Sequence, residues 1–185
     1  GSTIMAYAGL CGTDNVATNS VDQFSVMSYD EMVNYTHTGG GNCGQQIATG
    51  NNYPLVDAGT EGFFIPKSTP FELIGSATDA NGDSLTYSWE QVDIGPNTSV
   101  LSPIGDCPLF KVNYPTAAPI RVCPPLNDLV NGTATLGEQV ANYGRKMTFR
   151  MMVRDGLGGV NWDEMYFHTT DTAGPFQVSY PSSTF

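Results

Sequence analysis

Two stretches of the chain alternate strictly between apolar and polar positions. In Leu85-Thr-Tyr87-Ser-Trp89-Glu90 the period of two puts Leu85, Tyr87 and Trp89 on one face of a strand. In Arg145-Lys-Met147-Thr-Phe149-Arg-Met151-Met-Val153-Arg154 it turns Met147, Phe149, Met151 and Val153 inward and Arg150 and Arg154 outward. The glycine-rich turn Asp155-Gly-Leu-Gly-Gly159 then leads into a returning strand from Val160 to Thr170. Shorter strands are expected at Leu55-Val-Asp-Ala58, Phe63-Phe-Ile-Pro66 and Phe71-Glu-Leu-Ile-Gly-Ser-Ala77, each set off by Gly or Pro. Weaker candidates, Leu109-Phe-Lys-Val112 and Ile120-Arg-Val122, lie in a long excursion from Asp93 to Leu136. About seven short strands with Trp89 on a central one predict a mainly β protein, an antiparallel β-sandwich with Trp89 in its core.

Ahead of the strands the period changes. Phe24, Met27, Met32 and Tyr35 recur at near-helical spacing with Asp30 and Glu31 on the polar side. They predict one amphipathic helix from an N-cap at Asp22 to about Thr36, stopped by Gly39-Gly-Gly41. Residues 45–53 carry Thr, Gly and Asn without apolar periodicity and read as a linker. The chain thus divides into an N-terminal unit (1–44), the linker (45–53), the sandwich (54–171) and a tail (172–185) that is a linker or the start of a further module. The first dozen residues, small and apolar around Met5, read as a buried turn and not as a natural beginning.

Composition narrows the choice of partners. Charged residues are only 14% of the 185, and 18 acidic against 7 basic residues give a net charge of -11. Phosphate binding needs clustered Lys and Arg, so nucleic acid is excluded as a partner. No apolar run approaches the roughly 18 residues of a membrane span, and none resembles a signal peptide. Four cysteines, Cys11, Cys43, Cys107 and Cys123, form no C-x-x-C pair, so a structural zinc site is not expected. An even count in a Thr-, Asn- and Gly-rich chain points instead to two disulfides and a secreted or cell-surface location. Cys11 with Cys43 and Cys107 with Cys123 is the simplest pairing; two others stay open. Sequons at Asn34, Asn97 and Asn131 are compatible with exposed loops.

The acid excess has one local focus. Asp79, Asn81 and Asp83 place alternate oxygen donors on a tight Gly-containing loop, a pattern that suits Ca²⁺, with Glu90, Asp155 or Asp163 to complete the shell. It is half of a calcium loop, lacking the distal Glu of an EF-hand. The competing account is an Asx turn that caps its own backbone. His37 and His168 are isolated, one on a loop and one in a strand, and neither has ligand spacing.

Two resemblances follow from particular residues. Thr3-Ile-Met5-Ala-Tyr7 resembles the Met-turn of metzincin zinc peptidases. Asp79-Ala-Asn81-Gly-Asp83-Ser-Leu-Thr-Tyr87-Ser-Trp89 with the later Val153-Arg-Asp155 turn is similar to the immunoglobulin-like, PKD or cadherin-like modules of bacterial secreted proteins, over about residues 52 to 171. Together with Cys43-Gly-Gln45 and Ile65-Pro-Lys67, the combination resembles secreted reprolysin-like metallopeptidases of bacteria, in which such a module follows the protease domain.

The resemblance implies that residues 1–44 are the end of a metzincin catalytic domain, with Met5 as the apolar floor beneath the zinc and Tyr7 as a phenol near it, able to donate to a developing oxyanion. It implies zinc in the parent enzyme and a protein or peptide substrate. The motif H-E-x-x-H-x-x-G-x-x-H that holds the metal is absent from this sequence, so the chain is expected to be inactive alone. An upstream proteolytic half that supplies the ligands in trans is a further variant. The rival reading is an extracellular structural or adhesive protein that self-associates, pairing a strand such as residues 2–8 with a neighbour's sheet edge.

Overall fold

A computed structural model of the chain describes residues 2–41, 43–45 and 47–179; the end of the tail segment lies outside them. The fold is mainly β, with antiparallel pairing throughout except at one edge, and two helices. Strands β1 (Leu55–Asp57), β2 (Phe63–Pro66), β3 (Phe71–Ile74), β4 (Ser76–Thr78), β5 (Thr86–Gln91), β6 (Ile120–Cys123), β7 (Arg145–Arg154) and β8 (Val160–Thr170) follow helix α1 (Val26–Thr38), and α2 (Leu126–Asn131) follows β6. One layer is a four-stranded sheet in the order β2-β8-β7-β5. The pairs β1-β4 and β3-β6 face it, and Val56, Leu73, Ala77 and Cys123 bring them into the common core.

The alternation of β7 carries this arrangement. Met147, Phe149, Met151 and Val153 are fully buried, and Phe149 meets Phe71, Phe110 and Phe167 in one aromatic cluster. Trp89 lies in the same core, its indole N–H donating to the Pro119 carbonyl at 3.1 Å. A buried indole without an acceptor would be costly, so this bond helps fix where the excursion returns over β5. The β2–β8 edge is parallel, pairing Phe63 with Phe167 and Ile65 with Thr169. A direction that a tight hairpin could not provide is open to strands separated by most of the domain.

Two elements of the excursion depart from the expectation. The 109–112 segment is not a strand: Phe110 makes a single bridge to Glu138, while the side-chain oxygen of Gln91 accepts from both Leu109 N (2.7 Å) and Phe110 N (3.1 Å). The amide side chain takes the place of a ladder. Arg121 completes the excursion's anchorage, donating to the carbonyls of Trp89 (2.6 Å) and Lys111 (2.8 Å) and to the Glu138 carboxylate (2.8 Å). The helix α2 was not expected at all; it is short and closes on Gly132 in the left-handed region.

Helix α1 begins three residues beyond the expected cap, with the Ser25 hydroxyl accepting from Ser28 N at 3.3 Å, and ends before Gly39. Its expected apolar face is turned outward: Phe24, Met27, Met32 and Tyr35 are exposed, whereas Val26 is buried and Tyr29, Asp30 and Val33 are half-buried. The surface beneath is the outer face of the four-stranded sheet, which presents Glu90, Arg150, Arg154 and Trp162. The helix therefore rotates toward the stripe whose polar groups can satisfy them.

The cysteines correct the disulfide expectation. All four are free thiols, Cys11 and Cys43 exposed, Cys107 and Cys123 buried. The Cys11 thiol turns back on its own loop toward the Tyr7 carbonyl (3.6 Å), and Cys123 packs in the core opposite Phe71, where burial pushes its thiol up to about 12. A reductant is accordingly expected to leave the melting temperature unchanged; a fall of several degrees with dithiothreitol would show that bridges stabilise the fold.

Candidate metal centre

The register of the β5–β7 ladder decides what meets at one end of the sandwich. Thr86 pairs with Arg154 as the last rung, which sets Asp155 beside the loop that precedes β5. In that loop the Asp79 Oδ1 accepts from Asn81 N (2.8 Å) and Asp83 N (3.2 Å), closing an Asx turn with Gly82 at a φ of 80°. On the other side, Asp155 Oδ1 accepts from Leu157 N (2.7 Å) and Gly159 N (2.9 Å) and shapes the turn into β8. A Cβ at residue 159 would collide with Asp155 Oδ2, so the close approach requires glycine.

Oxygens of Asp79, Asp83 and Asp155 converge to within 4.8 Å of one another. Two carboxylate oxygens of this group, Asp79 Oδ2 and Asp83 Oδ2, are shielded from solvent and have no hydrogen-bond partner among the described residues. Asp83 is held above the usual carboxylate range by burial, then by the charges of Asp79 and Asp155. For Asp155 burial also pushes upward, but hydrogen bonds from Asn51, Leu157 and Gly159 outweigh it and hold the carboxyl low. Uncompensated negative charge on hard oxygen donors, with no nitrogen or sulfur ligand in the set, is chemistry that fits Ca²⁺.

The other residues read as candidates go elsewhere. Asn81 Oδ1 accepts from both Asn52 N and Asn52 Nδ2, each at 2.9 Å. Asp163 Oδ2 accepts from Ala58 N (2.9 Å), and Glu90 lies beneath α1, where it accepts from Val26 N (2.9 Å). Asn51 is the residue the sequence did not single out: its side chain donates to Asp155 Oδ2 at 2.6 Å and ties the linker to the cluster. Nothing in its local pattern distinguishes it from Asn52, the other asparagine of the linker.

The residues of the zinc resemblance are placed as follows. Residues 2–8 bend into turns, with Ala6 N donating to Thr3 O (2.9 Å). Met5 and Tyr7 are 70% and 76% exposed, where a buried turn was expected. Ser2 and Gln23 fasten this region to the sandwich through the carbonyls of Val112 (3.0 Å) and Asn113 (3.1 Å). His37 Nδ1 donates to Val33 O within its own helix, and His168 stacks on Phe64, so the two imidazoles belong to separate surroundings. No helix among the described residues is long and apolar enough to cross a membrane.

The signs of the two shifted carboxyls give opposite expectations without metal. Asp83, raised in the fold, loses the fold stability as pH rises through its pKa; Asp155, depressed, contributes stability above its unfolded value that is lost as pH falls through its folded value. In chelator at neutral pH, Asp83→Asn should raise the melting temperature. Asp155→Ala should lower it, since orphaning the buried Gly159 N–H costs about 1–3 kcal/mol, at about 2–4 °C per kcal/mol for a chain of this size. Thermal melts in chelator decide both, and equal melting temperatures for all three proteins would contradict the assignment.

No family model matches this chain, and no curated protein matches it.

Proposed function

We propose that the chain is a non-catalytic, calcium-binding sandwich module, of immunoglobulin or PKD type, belonging to a larger secreted zinc metallopeptidase. The observation that carries the calcium reading is the pair of shielded, unpartnered carboxylate oxygens on Asp79 and Asp83 beside Asp155. Asp79, Asp83 and Asp155 would hold the ion. It would neutralise three like charges and tie the β4–β5 loop to the β7–β8 turn, at the end of the sandwich where Asn51 and Asn52 bring in the linker. The module's contribution to the parent would be to set spacing, bind substrate or attach to a surface.

The metallopeptidase part of the reading rests on the Met-turn resemblance of residues 3–7 and on the module motif at 79–89. Zinc belongs, on this reading, to a motif encoded before residue 1, and the upstream domain would cover the exposed Met5 and Tyr7. Sequencing the gene upstream is the test: H-E-x-x-H shortly before residue 1 is expected. An open reading frame with a signal peptide directly preceding it would remove the proposal.

Calcium is tested on the protein itself. Ca²⁺ at a hundredfold excess over its dissociation constant should stabilise the metal-free fold by about 2.7 kcal/mol. The shift should vanish in Asp79→Asn/Asp83→Asn. An unchanged melting curve on adding Ca²⁺ to chelator-treated protein would end the calcium reading while leaving the gene test open.

A further inference from the structure

Helix α1 is fastened to the outer face of the sheet at two points, and both are polar. At its first turn Val26 N donates to Glu90 Oε2 at 2.9 Å. Near its middle, Asp30 accepts from Arg150 Nη1 (2.6 Å) and Trp162 Nε1 (2.7 Å), and the Tyr29 hydroxyl donates to Val160 O (3.1 Å). Of the helix's apolar side chains only Val26 is buried, while Met27, Met32 and Tyr35 remain exposed. A helix of 13 residues is marginal by itself, and hydrogen bonds contribute about 1 kcal/mol each in net terms, so docking rests on a narrow balance.

Glu90 sits at the centre of that balance. It is 2% exposed, and its Oε1 has no hydrogen-bond partner among the described residues. The cations around it are committed to other groups. Arg150, directly opposite in the β5–β7 register, binds Asp30 and Glu164. Arg154 donates to Ser88 Oγ (3.0 Å) and reaches Phe24 O (3.5 Å), and Arg121 is taken by Trp89 O, Lys111 O and Glu138. An ionised carboxylate sealed from water with one donor and no direct counter-ion is expensive; its protonated form is much less so.

We infer that Glu90 makes α1 a proton-dependent latch: the helix docks with uptake of a proton by this carboxyl and loosens when the carboxyl is ionised. Burial raises the Glu90 pKa in the docked state, with the Val26 N–H and the charges of Arg154 and Arg121 pulling the other way. Undocking admits water and returns the group toward its ordinary value. The docked form therefore binds the proton more tightly, and acidification through the window between the two values tightens the latch. Tyr29, a half-buried phenol at this interface, is itself raised by burial and stays neutral across that window. The polar clamp of Asp30 with Arg150 and Trp162 keeps the helix registered in both conditions.

Hydrogen exchange on the full chain tests this at about pH 5 and about pH 8, with exchange times scaled to the intrinsic rates. The amides of α1 should be several-fold better protected at the acid pH, while those of β7 keep the same protection. Glu90→Gln preserves an acceptor for Val26 N without the charge, and should show high α1 protection at both values. His37→Gln, which removes the only imidazole on the helix, should retain the pH dependence. Equal α1 protection in the wild type, the same dependence in Glu90→Gln, its loss in His37→Gln, or parallel changes in β7 would each overturn the latch.

Discussion

Strand β7 is shared by every part of the molecule. Its inward face, Met147, Phe149, Met151 and Val153, is the centre of the core, and its ladders to β5 and β8 hold the four-stranded sheet together. Its outward face, Arg150 and Arg154 around Met152, is the surface on which α1 lies. Its end delivers Asp155 to the acidic loop. A side-chain period of two is the physical link: one strand cannot slip by a residue without moving the core, the helix seat and the carboxylate cluster together.

That same period explains what could be read in advance. The strict alternations at 85–90 and 145–154 have one dominant interpretation, and the corresponding strands are present. The rotation of α1 was not legible, because a helix chooses its buried stripe against a partner surface, and here the partner is the charged back of a sheet. Phe24, Met27, Met32 and Tyr35 form a better apolar line than the stripe that is used. The ladder lost at 109–112 depends on where a distant Gln91 side chain points, and the free thiols depend on packing that spacing does not encode. Tertiary partners decided each of these.

The candidate site divides in the same way. Asp79 and Asp83 were legible as oxygen donors on a tight loop, and Asp155 as one of several acids that could join them. The β5–β7 register selects Asp155, because Asp163 is engaged by the Ala58 amide and Glu90 by the helix. Asn51 enters through the fold alone. The cluster combines features of both accounts of such a loop: Asp79 Oδ1 serves the Asx turn, while Asp79 Oδ2 and Asp83 Oδ2 are left without a partner among the described residues. A protein with a net charge of -11 gains from any cation that resolves this, and the linker asparagines stand where such a gain would be transmitted.

The most direct test of this account follows backbone amide resonances while Ca²⁺ is added to chelator-treated protein. The account predicts saturable shifts confined to residues 51–53, 79–84 and 155–159, the three segments that the carboxylates join. Spectra that do not change with Ca²⁺, or changes centred on other parts of the chain, would contradict it.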